Sequence, residues 1–284
     1  MNAAAIREAC DVTDTEFLCA VRAQWLQKPS MAAVGSCCLL ACITPPPHPI
    51  LMVASVGDSR GVLGIDSAKG SPQAAAVQVS QDHNANDPEV RKELHLKFPT
   101  DSDVVVQKSE VWRVKGIIQV SRSFGDFYLK LQEFQTFPLL SRFLLPSPLP
   151  GPLLTCDPTL EERALESTHR FLILASDGLW EQLSNQEAVN LVAGGEKQGA
   201  ARRLVVDAMK KAARKRNGSY EEVKELGAGR RRPVHDDITC VVLFFNHQLM
   251  EKGGQEASPV SLLSCQPHPL VDNYYSDEEG EEET

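Results

Sequence analysis

Three apolar runs in this chain each carry an acidic residue at one end. Residues 53–56 lead into Gly57-Asp58-Ser59-Arg60, residues 172–176 lead into Asp177-Gly178, and His235-Asp236-Asp237 precedes residues 238–242. Taken singly, each reads as a turn, because Asp, Gly and Ser end strands for purely local reasons. Three together, with no Cys or paired His beside them, read differently. They are hard oxygen ligands gathered at the ends of strands, a donor set that suits Mg2+ or Mn2+ rather than zinc. Such ions lower the pKa of a bound water and bind phosphate oxygens, so the chemistry indicated is hydrolysis of a phosphate ester without a covalent enzyme intermediate. Two other phosphate chemistries are excluded. Cys37 and Cys38 sit in an apolar run without the Cys-and-Arg loop of cysteine phosphatases, and no Walker-type glycine-rich loop is present.

The elements that must position these carboxylates follow from the surrounding pattern. Thr13-Asp14-Thr15-Glu16 has capping-box spacing, and Phe17, Val21 and Trp25 follow at helical intervals, which predicts a helix over 14–27 stopped by Pro29. The apolar runs 32–43 and 50–56, split by a proline-rich loop, predict a buried hairpin, and 60–65 with 74–80 a second pair. Asp87-Pro88 opens a helix to about Lys97, and further strands are expected at 103–107 and 111–120. Prolines 138, 146, 148, 150, 152 and 158 alternate with leucines, predicting a packed irregular connection. A strand over 170–176, a helix from Ser184 with Glu187 in capping-box position, a basic helix over 199–216 and a strand over 238–245 complete the expected domain, 1–250. From 251 to 284 the composition predicts a disordered acidic tail.

Composition agrees with that layout. The 284 residues are 42% hydrophobic and 24% charged, with a formal charge of -9, which suits a soluble globular protein. The longest apolar run, 31–43, is shorter than the roughly 20 residues of a membrane span, and no signal peptide is expected. The eight cysteines show no zinc-like spacing and are expected as buried, reduced thiols of a cytoplasmic or nuclear protein. Asp277, Glu278, Glu279, Glu281, Glu282 and Glu283 crowd at one end, and the nearly balanced remainder makes nucleic acid an unexpected partner.

Four segments carry a family resemblance by their order. Gly57-Asp58-Ser59-Arg60, Ser121-Arg122-Ser123-Phe124-Gly125-Asp126, Ser176-Asp177-Gly178-Leu179-Trp180-Glu181 and His235-Asp236-Asp237-Ile238-Thr239 resemble the motifs of the metal-dependent type 2C Ser/Thr protein phosphatases. Residues 25–29, 34–38, 82–94 and 111–120 resemble the plant subgroup, and the similarity covers about 10–250. The resemblance implies an α+β fold, a layered α-β-β-α sandwich of two antiparallel sheets flanked by helices. It also implies two or more Mg2+ or Mn2+ ions, phosphoprotein substrates including plasma-membrane transport proteins, regulatory protein partners, and a monomer in the cytoplasm, in the nucleus or peripheral at the plasma membrane. Asp177 and Asp236 would ligate an ion of the central pair, while Asp58, Asp177 and Glu181 would frame an additional site. Glu181 stands where Asp is more usual, and Asp237 is an alternative to Asp236. Arg122 and Asp126 carry over as motif members with structural or functional roles. Apart from the resemblance, His83 and His235 flank the motifs as candidate general acids, with a structural histidine the plainer expectation at each.

The resemblance also has a gap. Family members begin with strands bearing an Arg that holds substrate phosphate, and an Asp-Gly-His-Gly-Gly segment whose Asp bridges both ions; this sequence contains neither. Its first residues resemble the helix downstream of that segment, so the sandwich is expected to be incomplete at its N-terminus, with unpaired sheet edges. The alternative function is therefore a catalytically impaired phosphatase fragment that binds phosphoproteins or regulators. Residues 202–232 hold eleven basic and four acidic side chains, suggesting a membrane surface, nucleic acid or acidic partner, but the helical recurrence of Leu204, Val205, Ala208 and Ala212 makes a solvated face the plainer expectation. Arg230, Arg231 and Arg232 are candidates for holding phosphosubstrate, the acidic tail is expected to be solubilising, and Trp112 and Trp180 are expected in the core.

Overall fold

The computed structural model describes residues 2–45, 48–67, 73–227 and 229–247. The tail expected over 251–284, and Cys265 within it, lie outside the described residues. In chain order the elements are α1 (Ala3–Gln24), β1 (Gly35–Ser36), β2 (Cys38–Ile43), β3 (Ile50–Val56), β4 (Arg60–Asp66), β5 (Ala74–Gln78), α2 (Pro88–Lys97), β6 (Val105–Lys108) and β7 (Val111–Val114). They continue with β8 (Phe124–Gly125), β9 (Thr159–Ala164), β10 (His169–Ala175), α3 (Asp177–Trp180), α4 (Asn185–Ala193), α5 (Ala200–Lys215), α6 (Tyr220–Lys224) and β11 (Cys240–Phe244). The architecture is mixed α+β, with a four-stranded antiparallel sheet ordered β11-β10-β4-β5 and a three-stranded one ordered β2-β3-β9.

Alternation along the strands decides which faces meet. Leu51 and Val53 of β3 pack with Leu63 of β4 and Leu172 of β10, a core shared by the two sheets. The opposite face of the four-stranded sheet, with Val62, Phe171 and Ile173, lies under Val189 and Val192 of α4 and Leu204 and Ala208 of α5. Ile6 and Cys10 of α1 cover Met52 and Ala54 of β3. The proline-rich connection is packed, as expected: Leu139, Leu153 and Leu154 are buried with Val21, Leu94, Phe127 and Phe134. Each such side chain contributes about 1.5–3 kcal/mol on burial. The two sheet edges are less well covered. Val241 and Leu243 of β11 are 55% and 41% exposed, and Leu40 and Ile43 of β2 are each 37% exposed.

Several expectations are corrected. α1 starts eleven residues before the expected position, because Asn2 caps it by accepting from the Ala5 N–H at 2.9 Å and Ile6 and Cys10 extend its apolar stripe onto β3. Thr13 lies inside the helix and its hydroxyl donates to the Ala9 carbonyl at 2.7 Å. The run 32–43 holds the two-residue β1, which pairs with β8, and a continuous strand only from Cys38; β2 is a half-exposed edge, so β3 is the buried strand of the hairpin. β9 pairs with β3 although Glu161, Glu162 and Arg163 gave no apolar signal; charged residues suit an edge strand. Among the described cysteines only Cys10 is buried; Cys19 is exposed and the others are half-buried, none of them in a disulfide. No helix among the described residues is long and apolar enough to cross a membrane.

Candidate metal centre

β10 ends at Ala175, and Ser176 begins the turn that presents Asp177 as the first residue of α3. Glu181 follows four residues later, on the same side of that helical turn. The segment before β11 is stitched to this turn by one hydroxyl: Ser176 Oγ donates to the Asp237 carbonyl at 3.0 Å and accepts the Thr239 N–H at 3.0 Å. The stitch places Asp236 opposite. One carboxylate oxygen each from Asp177, Glu181 and Asp236 then lie within 4.8 Å of one another. Asp237 is exposed and outside this group.

Asp58 is held in the β3–β4 turn, apart from the three but lining the same polar cavity of about 740 Å3 as Asp177 and Glu181. It is buried, with Asn84 donating to one oxygen at 2.7 Å and the Cys37 thiol 3.5 Å from the other. Gly57, with φ at +96°, allows that turn; a Cβ there would stand 2.3 Å from the Cys37 sulfur. Cys37 is pushed up to about 12 by burial and by the Asp58 charge, so it stays a neutral thiol.

The electrostatics ask for a cation. Burial first, then the charges of Asp58, Asp236 and Glu181, push Asp177 up to about 6. Burial and the Asp236 charge raise Glu181 as well. An all-carboxylate set crowded enough to resist its own ionisation matches a hard divalent ion such as Mg2+ or Mn2+. Arg232 pairs with Asp236, and Lys215 donates to the Glu181 carbonyl at 3.0 Å. Gly178 packs so closely under Asp236-Asp237 that a Cβ there would meet the Asp237 oxygen at 2.4 Å. Gly178→Ala is therefore expected to spread the carboxylates and weaken divalent-ion binding about tenfold, measured by titration calorimetry on the folded variant.

The remaining candidates divide. Trp180, expected in the core, is half-buried and lines the cavity, with Arg60 5.3 Å over its ring and its Nε1 donating to the Ala175 carbonyl. Arg60 also pairs with Asp82 and donates to Asn185 at 2.8 Å. Sequence reasoning passed over Asn84, Asp82, Asn86, Gln119 and Glu161 as cavity residues; an Asp-His-Asn run beside Asn86-Asp87 was the available signal. Arg122 donates to the Asp157 carbonyl and Asp126 accepts from Ser123, so both tie loops together. Arg231 holds the carbonyls of Leu226 and Lys224, whereas Arg230 is exposed. His235 Nδ1 lies 2.7 Å from the Asp236 carbonyl oxygen.

His83 is 1% exposed, its Nδ1 at the backbone of Gly57 and its Nε2 2.8 Å from Thr159 Oγ1. Burial, with Arg122 nearby, lowers it to about 4, which makes it a neutral structural histidine at neutral pH. The unfolded chain binds this proton near pH 6.5 and the folded chain near 4. The stability it confers is thus complete above pH 6.5 and is lost as pH falls towards 4, about 3 kcal/mol in all. Urea titrations across that window are expected to show this loss, and His83→Gln to flatten it.

The description "Protein phosphatase 2C" belongs to a family model that matches residues 4–217, a span containing Asp58, Asp177 and Glu181 but not Asp236. A probable protein phosphatase 2C 43 of Oryza sativa subsp. japonica is 48% identical over 257 residues, covering 90% of this chain and 65% of its own length. A probable protein phosphatase 2C 79 of Arabidopsis thaliana is 46% identical over 259 residues, covering 91% and 66%. The chain thus spans just under two thirds of the length of these curated relatives. A solved serine-threonine phosphatase 2C from Toxoplasma gondii superposes at a TM-score of 0.54 with 18% identity, covering 86% of this chain and 67% of that one, a similarity of fold alone.

Proposed function

Because the chain belongs to the protein phosphatase 2C family, we propose that it hydrolyses phosphoserine and phosphothreonine esters of proteins, with Asp177, Glu181 and Asp236 as divalent-ion ligands and Asp58 at a further position in the same cavity. We read the two sheets between α1 on one side and α4 and α5 on the other as the family's layered sandwich. The observation that carries the functional reading is the close trio of carboxylate oxygens at a wide polar cavity. Asp177, Glu181 and Asp236 would hold Mg2+ or Mn2+, which would supply Lewis acidity toward a water and positive charge for the phosphoryl oxygens. The chain's own residues do the rest. Ser176 fixes the separation of the Asp177 and Asp236 segments, Asn84 orients Asp58, and the Arg60–Asp82 pair over Trp180 stiffens the wall.

One observation favours the second reading, a phosphoprotein- or regulator-binding module with impaired catalysis. Among the described residues one trio of carboxylate oxygens lies within 4.8 Å of one another, whereas the proposed chemistry uses two or more ions. Hydrolysis of a phosphothreonine peptide by the purified chain with Mn2+, with Mg2+ and with EDTA separates the two. Turnover that EDTA abolishes supports the enzyme; a folded chain that binds ions without turnover supports the module.

A further inference from the structure

One surface left unused by the proposed chemistry is basic. α5 buries Leu204, Ala208, Met209, Ala212 and Ala213 and leaves Lys210, Arg214, Lys215 and Arg216 exposed. Arg230 and Arg232 lie on the neighbouring loop, which α5 meets where Met209 and Ala213 pack with Val223, Val234 and Ile238. Cations in the last turn of a helix answer its dipole. Lys210 stands earlier and Arg230 and Arg232 lie off the helix, so the dipole does not account for them. Local acids neutralise the patch only in part: Asp236 pairs with Arg232, Glu221 with Lys224, and Glu222 accepts from the Ser219 N–H. Among the described residues, the Lys210, Arg214, Arg216 and Arg230 side chains make no hydrogen bond or ion pair. The patch borders the carboxylate trio through Lys215 on Glu181 and Arg232 on Asp236.

We propose that the acidic run 277–283 of the same chain docks on this cationic surface, against the C-terminal half of α5 and the loop bearing Arg230 and Arg232. Charge complementarity is the first argument: Asp277, Glu278, Glu279, Glu281, Glu282 and Glu283 form the densest acidic run of the sequence. Reach is the second. Phe244, at the end of β11, packs in the same cluster as Leu204 and Ala208 of α5. About 30 residues separate the end of the described chain from Asp277, and a chain of that length with coil statistics would span about 30 Å, longer than the roughly 24 Å of α5. Docking there would place negative charge beside the carboxylate trio, at the Lys215 and Arg232 contacts, and compete with acidic or phosphorylated ligands approaching it. That consequence rests on the phosphatase reading; the docking does not.

Zero-length carbodiimide coupling of the full chain, followed by peptide mapping, tests the docking without any turnover assay. Amide links from the acids of 277–283 to Lys210 and Lys215 are expected at low salt. They should fall at least about fivefold near 1 M salt, where the Debye length is about 3 Å, and likewise in the exposed double variant Arg214→Glu, Arg216→Glu. Links spread evenly over distant lysines such as Lys92, links found only in covalent dimers, or links that survive the charge reversal each overturn the proposal. So does a chain that forms no such links but binds phosphatidylserine vesicles through the patch. If docking is found while phosphopeptide hydrolysis is not, the functional reading fails and the docking stands.

Discussion

Asp177→Asn is expected to lower ion-dependent phosphopeptide turnover about a thousandfold while making the ion-free chain more stable. The loss follows from chemistry: a bound divalent ion is worth several kcal/mol of transition-state charge stabilisation, and each 1.4 kcal/mol is a factor of about ten in rate. The gain follows from repulsion. Asp177 is raised to about 6 by burial and by Asp58, Asp236 and Glu181, so at pH 7 its charge is held against its own preference. A carboxylate with a raised folded pKa contributes stability only below its unfolded value near 3.9 and loses it as pH rises through about 6. Allowing for the partial exposure of the group, removing the charge should stabilise the ion-free fold by about 1 kcal/mol at pH 7, or about 2–4 °C in Tm, and by nothing near pH 4. Adding Mn2+ should reverse the order, because only the wild-type chain gains binding free energy. Melting curves at two pH values with and without Mn2+ check all four corners; an ion-free variant less stable than wild type at pH 7 would contradict the argument.

That result would also explain what could be read before the fold was seen. Local rules found α4 with its Ser184–Glu187 capping box, α2 with Asp87 as cap, and the strands that carry Asp58, Asp177 and Asp236 to one region. Asp177 and Glu181 share a helical turn, so their spacing alone brings them together. What stayed hidden is long-range. The contact of Asn84 with Asp58 joins residues 26 apart, and the Ser176 stitch to Asp237 joins residues 61 apart. β9 is held by backbone pairing to β3 rather than by an apolar pattern, and α1 is lengthened by packing Ile6 and Cys10 on the sheet together with the Asn2 cap, not by the Thr13–Glu16 signal. α6 is a different case: its Ser219–Glu222 capping box was visible in the sequence, but lay inside a stretch whose basic charge drew attention first.

The motif 121–126 shows why a family resemblance does not assign roles, and it sets the second large prediction. Lys130 lies at its centre, its side chain 8% exposed, with Nζ 2.8 Å from Asp14 of α1 and 2.8 Å from the Ser123 carbonyl. Asp14 accepts the Gly125 N–H at 2.7 Å with its other oxygen, and Asp126 accepts from Ser123 Oγ at 2.8 Å. Burial raises Asp126, while Ser123 and the Lys130 charge hold it down. One cation thus bridges the half-buried Asp14 and the Ser123 carbonyl, its charge also acting on buried Asp126, and clamps α1 to the segment around β8. Lys130→Met should cost about 3–5 kcal/mol in urea unfolding, because it strands a buried charge. That is a large share of the 5–15 kcal/mol typical of whole domains. Pairing it with Asp14→Leu should recover at least about half of the loss, since removing both charges also removes the desolvation penalty. Divalent-ion affinity at Asp177, Glu181 and Asp236, measured at low urea, should stay within about twofold of wild type in the double variant. A tenfold loss there would instead make the clamp a positioning device for the ion site.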